Sequence, residues 1–205
     1  RDEILMRTYY GDIVSFRIDS NGVANEAYRV GGADARFPVI GIGDITGDGR
    51  SEVLFREDDG DVGAFSMDVN GVASVYYKVG WADLQNLALG LADLNGDGRS
   101  EILFRQPDGK VSAFRMSSDG VAFQYYEVGA ADRTYTVVGA GDITGDGRDE
   151  VIFSQPNGRI DAFRMDGNGV AYQYYNVGSA TAGYPVIGIG DLTGDGRAEI
   201  LFTTE

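Results

Sequence analysis

Asp44-Ile-Thr-Gly-Asp-Gly-Arg-Ser-Glu52 is the stretch on which the fold of this 205-residue chain turns, because it returns three more times at one spacing. It recurs as Asp93-Leu-Asn-Gly-Asp-Gly-Arg-Ser-Glu101, Asp142-Ile-Thr-Gly-Asp-Gly-Arg-Asp-Glu150 and Asp191-Leu-Thr-Gly-Asp-Gly-Arg-Ala-Glu199, with a period of 49 residues and no insertion. Phe16, Phe65, Phe114 and Phe163 fall into one column of that register. Gly22, Gly71, Gly120 and Gly169 make another, and Val30, Val79, Val128 and Val177 a third. The units are 1–49, 50–98, 99–147 and 148–196, and 197–205 begins a fifth copy. One such unit cannot bury its own apolar face and must stack on its neighbours, so residues 1–205 read as a single repeat domain.

Within a unit, four short runs rich in β-branched and aromatic residues are separated by turn residues. In the second unit Glu52–Arg56 leads through the hairpin turn Asp58-Asp59-Gly60 into Val62–Met67. Asn70-Gly71, whose residues tolerate positive φ, then turns the chain into Val72–Val79. A longer connection through Trp81 reaches Leu87–Asp93, a glycine-containing apolar run suited to a crowded place. Four antiparallel strands in about 49 residues predict an all-β fold, a β-propeller of four-stranded antiparallel blades. The small-residue strand is expected innermost and the Tyr-Tyr strand outermost. A β-helix is the rival architecture, but its coils are shorter and lack two such hairpins each.

Composition narrows the partners. The formal net charge of −15 repels phosphate, so no nucleic-acid partner is expected, and cations are the natural partners. Acidity also serves solubility alone, yet 12 of the 32 acidic residues occupy the three acidic positions of the four loops. The chain has no cysteine and no histidine, which removes disulfides, thiolate metal sites and the thiol or imidazole arrangements of nucleophilic catalysis. No apolar run approaches the roughly 20 residues of a membrane span, so no membrane insertion is expected. The N-terminal Arg1-Asp-Glu-Ile is not a signal peptide.

The recurring loop has the spacing of a calcium site. A hard divalent cation takes six to eight oxygens, and a tight loop delivers them from positions 1, 3 and 5, the carbonyl of position 7 and a downstream carboxylate. The candidate ligands are Asp44, Thr46, Asp48, Arg50 and Glu52; Asp93, Asn95, Asp97, Arg99 and Glu101; Asp142, Thr144, Asp146, Arg148 and Glu150; and Asp191, Thr193, Asp195, Arg197 and Glu199. About four Ca2+ sites are expected. Three carboxylates at one turn repel one another unless a cation or a ring of N–H donors compensates them. The other reading of the same residues is therefore an Asx-turn that hydrogen-bonds its own backbone.

On these residues the chain resembles the FG-GAP and VCBS repeats of integrin-type propellers and of many bacterial secreted proteins and lectins. The specific part is Asp-x-(Thr/Asn)-Gly-Asp-Gly-Arg-x-Glu followed by an apolar strand, in all four units. The resemblance implies a calcium-binding propeller at an extracellular or cell-surface location, used for adhesion, ligand display or sugar binding. Two positions depart from the family pattern. Position 3 is Thr in three loops where Asp or Asn is common, and position 9 is Glu where Asp is usual. Thr offers only a neutral oxygen, so the loop with Asn95 is expected to bind best.

No enzyme is expected, because every prominent carboxylate recurs in all units whereas a catalytic site is a unique constellation. The reading is a binding or adhesion module for a protein or cell-surface partner. The alternative is a lectin with sugar sites at blade junctions, and the third is a non-catalytic accessory domain of a secreted hydrolase or lyase. The Tyr76-Tyr77, Tyr125-Tyr126 and Tyr174-Tyr175 pairs send adjacent side chains to opposite faces, one to pack between blades and one outward, or both serve blade packing. The long connections vary most and carry Phe37, Trp81, Tyr135 and Tyr184, the candidate ligand-binding aromatics. Finally, Ile4–Met6 and Ile200–Phe202 fill the same strand position, and only one can pair in a closed four-bladed ring. The redundancy fits a fragment of a larger propeller, or a homo-oligomer joined through the overlapping terminal strands.

Overall fold

The computed structural model describes residues 4–181 and 184–203. Arg1-Asp-Glu at the start, the Ala182-Gly183 step of the fourth long connection and Thr204-Glu205 of the partial repeat lie outside them. Among the described residues every regular element is a strand. Two compact units divide the chain. One takes the residues up to Ile42 with Arg50–Leu84, and the other takes Gly43–Gly49 with the residues from Gln85 onward.

In the first unit a three-stranded sheet runs β1 (Ile4–Arg7), β2 (Asp12–Ile18), β3 (Ala24–Gly32). A four-stranded sheet follows in the order β4 (Val39–Gly43), β5 (Glu52–Arg56), β6 (Asp61–Met67), β7 (Ala73–Trp81). Ile13, Val30, Val53, Phe55 and Phe65 form the core shared by these two sheets. The second unit holds the sheet β8 (Leu87–Ala92), β9 (Glu101–Arg105), β10 (Lys110–Met116), β11 (Ala122–Ala130). Its next sheet is β12 (Thr136–Gly141), β13 (Glu150–Ser154), β14 (Arg159–Met165), β15 (Ala171–Ser179), and β16 (Val186–Gly190) pairs with β17 (Glu199–Phe202). Each four-stranded sheet is a simple antiparallel meander with the small-residue strand at one edge and the Tyr-Tyr strand at the other. In the second unit β12 lies against both β8 and β16, so the small-residue strands of successive sheets are the ones that meet.

The sequence columns have physical causes. Val30, Val79, Val128 and Val177 are each skipped in the strand register, as where Val62 pairs with Gly80 but Gly63 pairs with Lys78. This β-bulge swings the valine off the pleat; in the first three repeats it is buried. Aromatic rings stack across three strands of each full sheet. Phe104 and Phe114 sit edge to face at 5.1 Å and Phe114 and Tyr125 at 5.3 Å, and Phe55, Phe65, Tyr76 and Phe153, Phe163, Tyr174 repeat the arrangement. The first Tyr of each pair serves this within-sheet stack and stays partly exposed. The second Tyr of the third repeat's pair turns the other way: the Tyr126 hydroxyl lies 2.6 Å from where a Cβ on Gly169 of the next repeat would stand. Adjacent tyrosines thus serve opposite faces.

Arginines at one position of the repeat tie down the first three long connections; the fourth repeat has Ser154 there. Arg56 donates to the carbonyls of Ala82 (2.6 Å) and Asp83 (2.7 Å). Arg105 donates to Ala131 (3.2 Å) and Asp132 (2.8 Å), with its guanidinium 5.5 Å from the Phe153 ring of the next sheet. Arg7 does the same for Asp34 and Phe37, beside Phe55. Hydrogen bonds from a charged donor contribute more than those from a neutral one. Arg105→Ala is therefore expected to lower the unfolding free energy by about 2 kcal/mol in urea melts, whereas Arg133→Ala, an exposed neighbour, is expected to leave it unchanged.

Candidate functional site

Each recurring loop turns on two glycines that no other residue replaces without strain. Gly96 and Gly98 have φ of 77° and 81°, and Gly145 and Gly147 have 77° and 82°. This path aims successive backbone N–H groups at the first aspartate. Asp93 accepts from Gly96 (2.8 Å), Asp97 (3.2 Å) and Gly98 (2.8 Å). Asp142 accepts from Gly145 (2.6 Å), Asp146 (3.1 Å) and Gly147 (2.7 Å). Asp44 and Asp191 hold the same donors in their loops. The carboxylate sits in an anion-binding nest of N–H groups.

The other loop carboxylates have their own partners. At position 5, Asp97 pairs with Arg99 at 2.8 Å and Asp146 with Arg148 at 2.8 Å, and Asp195 accepts the Arg197 N–H at 2.9 Å. At position 9, Glu101 accepts from the Leu94 N–H (2.9 Å) and the Asn95 amide (2.7 Å). Glu150 takes the Ile143 N–H (3.0 Å) and the Thr144 hydroxyl (3.1 Å), and Glu199 takes the Leu192 N–H (2.8 Å). The departure to Glu now has a reason: its longer arm spans the seven residues back to the position-2 N–H. In the second and third loops Asn95 and Thr144 at position 3 act as hydrogen-bond donors to that Glu, whereas the Thr46 hydroxyl donates to Asp44 at 3.2 Å. Glu52 is buried at the start of β5.

The loops of the second unit are also linked to one another. The N–H of position 8 donates to the carbonyl of the first aspartate of the preceding loop: Ser100 to Asp44 (2.7 Å), Asp149 to Asp93 (2.8 Å) and Ala198 to Asp142 (2.7 Å). Asp149 adds a return bond, its carboxylate accepting the Asp93 N–H at 2.9 Å. The position-7 arginines lie along the same line, with Arg99 carbons over Gly47, Arg148 over Gly96 and Arg197 over Gly145. The sequence assigned these arginines only a carbonyl ligand. It gave no role at all to position 8, whose Ser, Asp and Ala share nothing but the backbone N–H.

The all-oxygen donor set fits a hard cation in kind. Its oxygens are nevertheless spread over the loop's own N–H groups, and among the described residues no group of three or more acidic side chains is gathered to hold a metal ion. Of the connection aromatics, Phe37 and Tyr135 are half-buried and pack on the cores of their units. Trp81 is 56% exposed, with its indole N–H on the Asp59 carbonyl at 2.9 Å, and Tyr184 is partly exposed. These four are not brought together; each stands in its own repeat.

The chain belongs to the family of FG-GAP-like repeats, whose sequence model matches residues 93–153 and again 142–202, together more than half of it. No curated protein matches the chain. Among solved structures, a chain of the Photorhabdus luminescens Tc holotoxin pore is similar in fold, with a TM-score of 0.59 and 14% identity. The match covers 99% of this chain and 11% of that one, so the present chain spans about a tenth of that protein's length.

Burial pushes the Glu101 carboxyl up to about 7, with Asp93 and Asp97 adding to the rise. Burial likewise lifts Asp149 to about 6, with Asp93 and Asp142 contributing. Between their ordinary values and these raised ones, the folded chain keeps protons that the unfolded chain has released. Stability must therefore fall as pH rises through that window. In chelator-treated buffer the melting temperature is expected to decline from pH 4.5 to pH 7, and Glu101→Gln is expected to flatten the decline.

Proposed function

We propose that this FG-GAP-like repeat chain is a non-catalytic binding module, its four-stranded sheets acting as the blades of a propeller at the cell exterior. Its partner is a protein or other cell-surface component. One observation supports the reading most. The parts that repeat, namely the loop carboxylates, the arginine anchors and the ring stacks, are engaged with one another, while the connections that differ between repeats stay open to solvent. The first aspartate of each loop, held on fixed N–H donors, is placed to bind and position.

Calcium belongs to this proposal on donor chemistry. Asp44, Thr46 and Asp48 in the first loop, and Asp93, Asn95, Asp97, Glu101 and their counterparts at 142–150 and 191–199 in the other three, would hold it. The ion would supply positive charge to carboxylates that burial and mutual repulsion now disfavour. Binding must outcompete the loop's own N–H groups, which predicts modest affinity and a gain in order. Titration of chelator-treated protein is expected to raise the melting temperature with about four equivalents bound. A flat melting temperature into the millimolar range would sink the calcium assignment and leave the hydrogen-bonded loop as the whole structure.

Trp81 favours a second reading, a sugar site at a blade junction, since its ring is pinned by one edge and half open to solvent. Labelled protein is expected to bind intact cells, with melting-neutral Trp81→Ala weakening that binding at least several-fold. Cell binding together with a negative glycan array in calcium selects the protein partner. Failure to bind either cells or glycans contradicts the binding-module reading.

A further inference from the structure

The repetition breaks at the first hairpin of the first unit. After β1 the turn is Tyr9-Tyr10-Gly11, where the other repeats have Asp58-Asp59-Gly60, Pro107-Asp108-Gly109 and Pro156-Asn157-Gly158. All four turns close alike, the glycine N–H donating three residues back: Gly11 to Thr8 (3.1 Å), Gly60 to Glu57 (3.1 Å), Gly109 to Gln106 (3.0 Å) and Gly158 to Gln155 (3.0 Å). In three of them the residue before the glycine also caps the strand that follows. Asp59 accepts from Asp61 at 3.0 Å, Asp108 from Lys110 at 3.1 Å and Asn157 from Arg159 at 3.0 Å.

Tyr10 has no acceptor for that duty. Thr8 performs it instead, its hydroxyl oxygen accepting the Asp12 N–H at 3.1 Å. In two other repeats the residue at the Thr8 position is tied to the ring stack: Glu57 accepts the Tyr76 hydroxyl at 2.6 Å and Gln106 donates to Tyr125. The first sheet has Ala27 where those tyrosines stand, so Thr8 has no such task. The turn is complete without Tyr9 and Tyr10. They stand 90% and 85% exposed, edge to face, with centroids 5.5 Å apart and ring planes at 84°.

The two rings wall a cleft of about 780 Å³ with Arg7, Thr8, Asp34, Ala35 and Arg36. Its charges balance, Arg7 and Arg36 against Asp34 and the adjoining Asp58. Arg36 forks onto Asp34, Nε to Oδ1 at 3.2 Å and Nη2 to Oδ2 at 2.9 Å, and reaches Asp58 at 3.0 Å. Arg7 spends its guanidinium on the carbonyls of Asp34 and Phe37. The Arg36 hydrogen bonds hold the Asp34 carboxyl down to about 2, so it stays an ionised acceptor. A charge-balanced cleft gives little pull on phosphate or ammonium. It offers two apolar ring faces at right angles and a planar Arg–Asp rim with acceptors and donors side by side. The ligand that uses both is uncharged, with a C–H face and a hydroxyl edge.

We propose that the Tyr9–Tyr10 corner is a binding site for a neutral saccharide, a pyranose ring stacking on a tyrosine with its hydroxyls toward Asp34 and Arg36. The proposal rests on the binding-module reading and places a site where the repeat pattern fails. It is tested by saturation-transfer NMR on the intact chain with a panel of neutral mono- and disaccharides in the millimolar range, read alongside the melting temperature. Transfer to the ring C–H protons of at least one sugar is expected, lost at least several-fold in Tyr9→Ala/Tyr10→Ala with unchanged melting, and kept in Trp81→Ala. A positive signal that survives the double substitution but disappears in Trp81→Ala overturns this site and leaves the binding-module reading standing. No transfer from any sugar overturns the saccharide assignment, while cell binding lost in the double variant would then make the corner a protein contact.

Discussion

Everything regular in this molecule depends on one constraint: the first aspartate of each loop is held by three backbone N–H groups that only a doubly glycine-bent path can aim at it. That bond set fixes where the small-residue strand ends and how the next strand departs. In the second unit the carbonyl of the same aspartate accepts from the following loop, which passes the register from one repeat to the next. The unvarying length of the loop follows from this, because a residue inserted within it would break both the nest and the link.

The proposed function rests on the division of labour between repeated and unrepeated residues. Repeated residues are used up inside the structure: arginine on carbonyl, glutamate on loop N–H, ring on ring. What remains for recognition is what differs. Two kinds of difference stand out, the long connections with Trp81 among them, and the first hairpin, where Thr8 takes over a structural task and releases two tyrosines to solvent. On the proposed reading, a binding module built on equal repeats gains specificity by this route without disturbing the repeated sheets.

Much of the fold was legible because its signals are local and periodic. The four strands per repeat, the Asp-Gly and Asn-Gly hairpins and the edge positions of the small-residue and Tyr-Tyr strands all follow from pattern. Strand ends were less so. The Tyr-Tyr strand runs on to Trp81, two residues past the expected end at Val79, because a bulge at that valine lets pairing resume at Gly80. The loop was legible as a turn crowded with carboxylates, but the partners of those carboxylates were not. Spacing says which oxygens are near one another; it does not say that Glu101 reaches back to the Leu94 N–H. Position 8 was invisible, since a backbone N–H leaves no trace in residue type. The arginine anchors were equally hidden, their acceptors being carbonyls some 26 residues away.

The central claim is that the loop-to-loop link through position 8 carries the register, and amide hydrogen exchange on the intact chain tests it directly. The Ser100, Asp149 and Ala198 amides, which lie in loops, are expected to exchange as slowly as the amides of β9 and β13. Exchange as fast as that of the exposed turn amides near Asn70 and Asn168 would contradict the account.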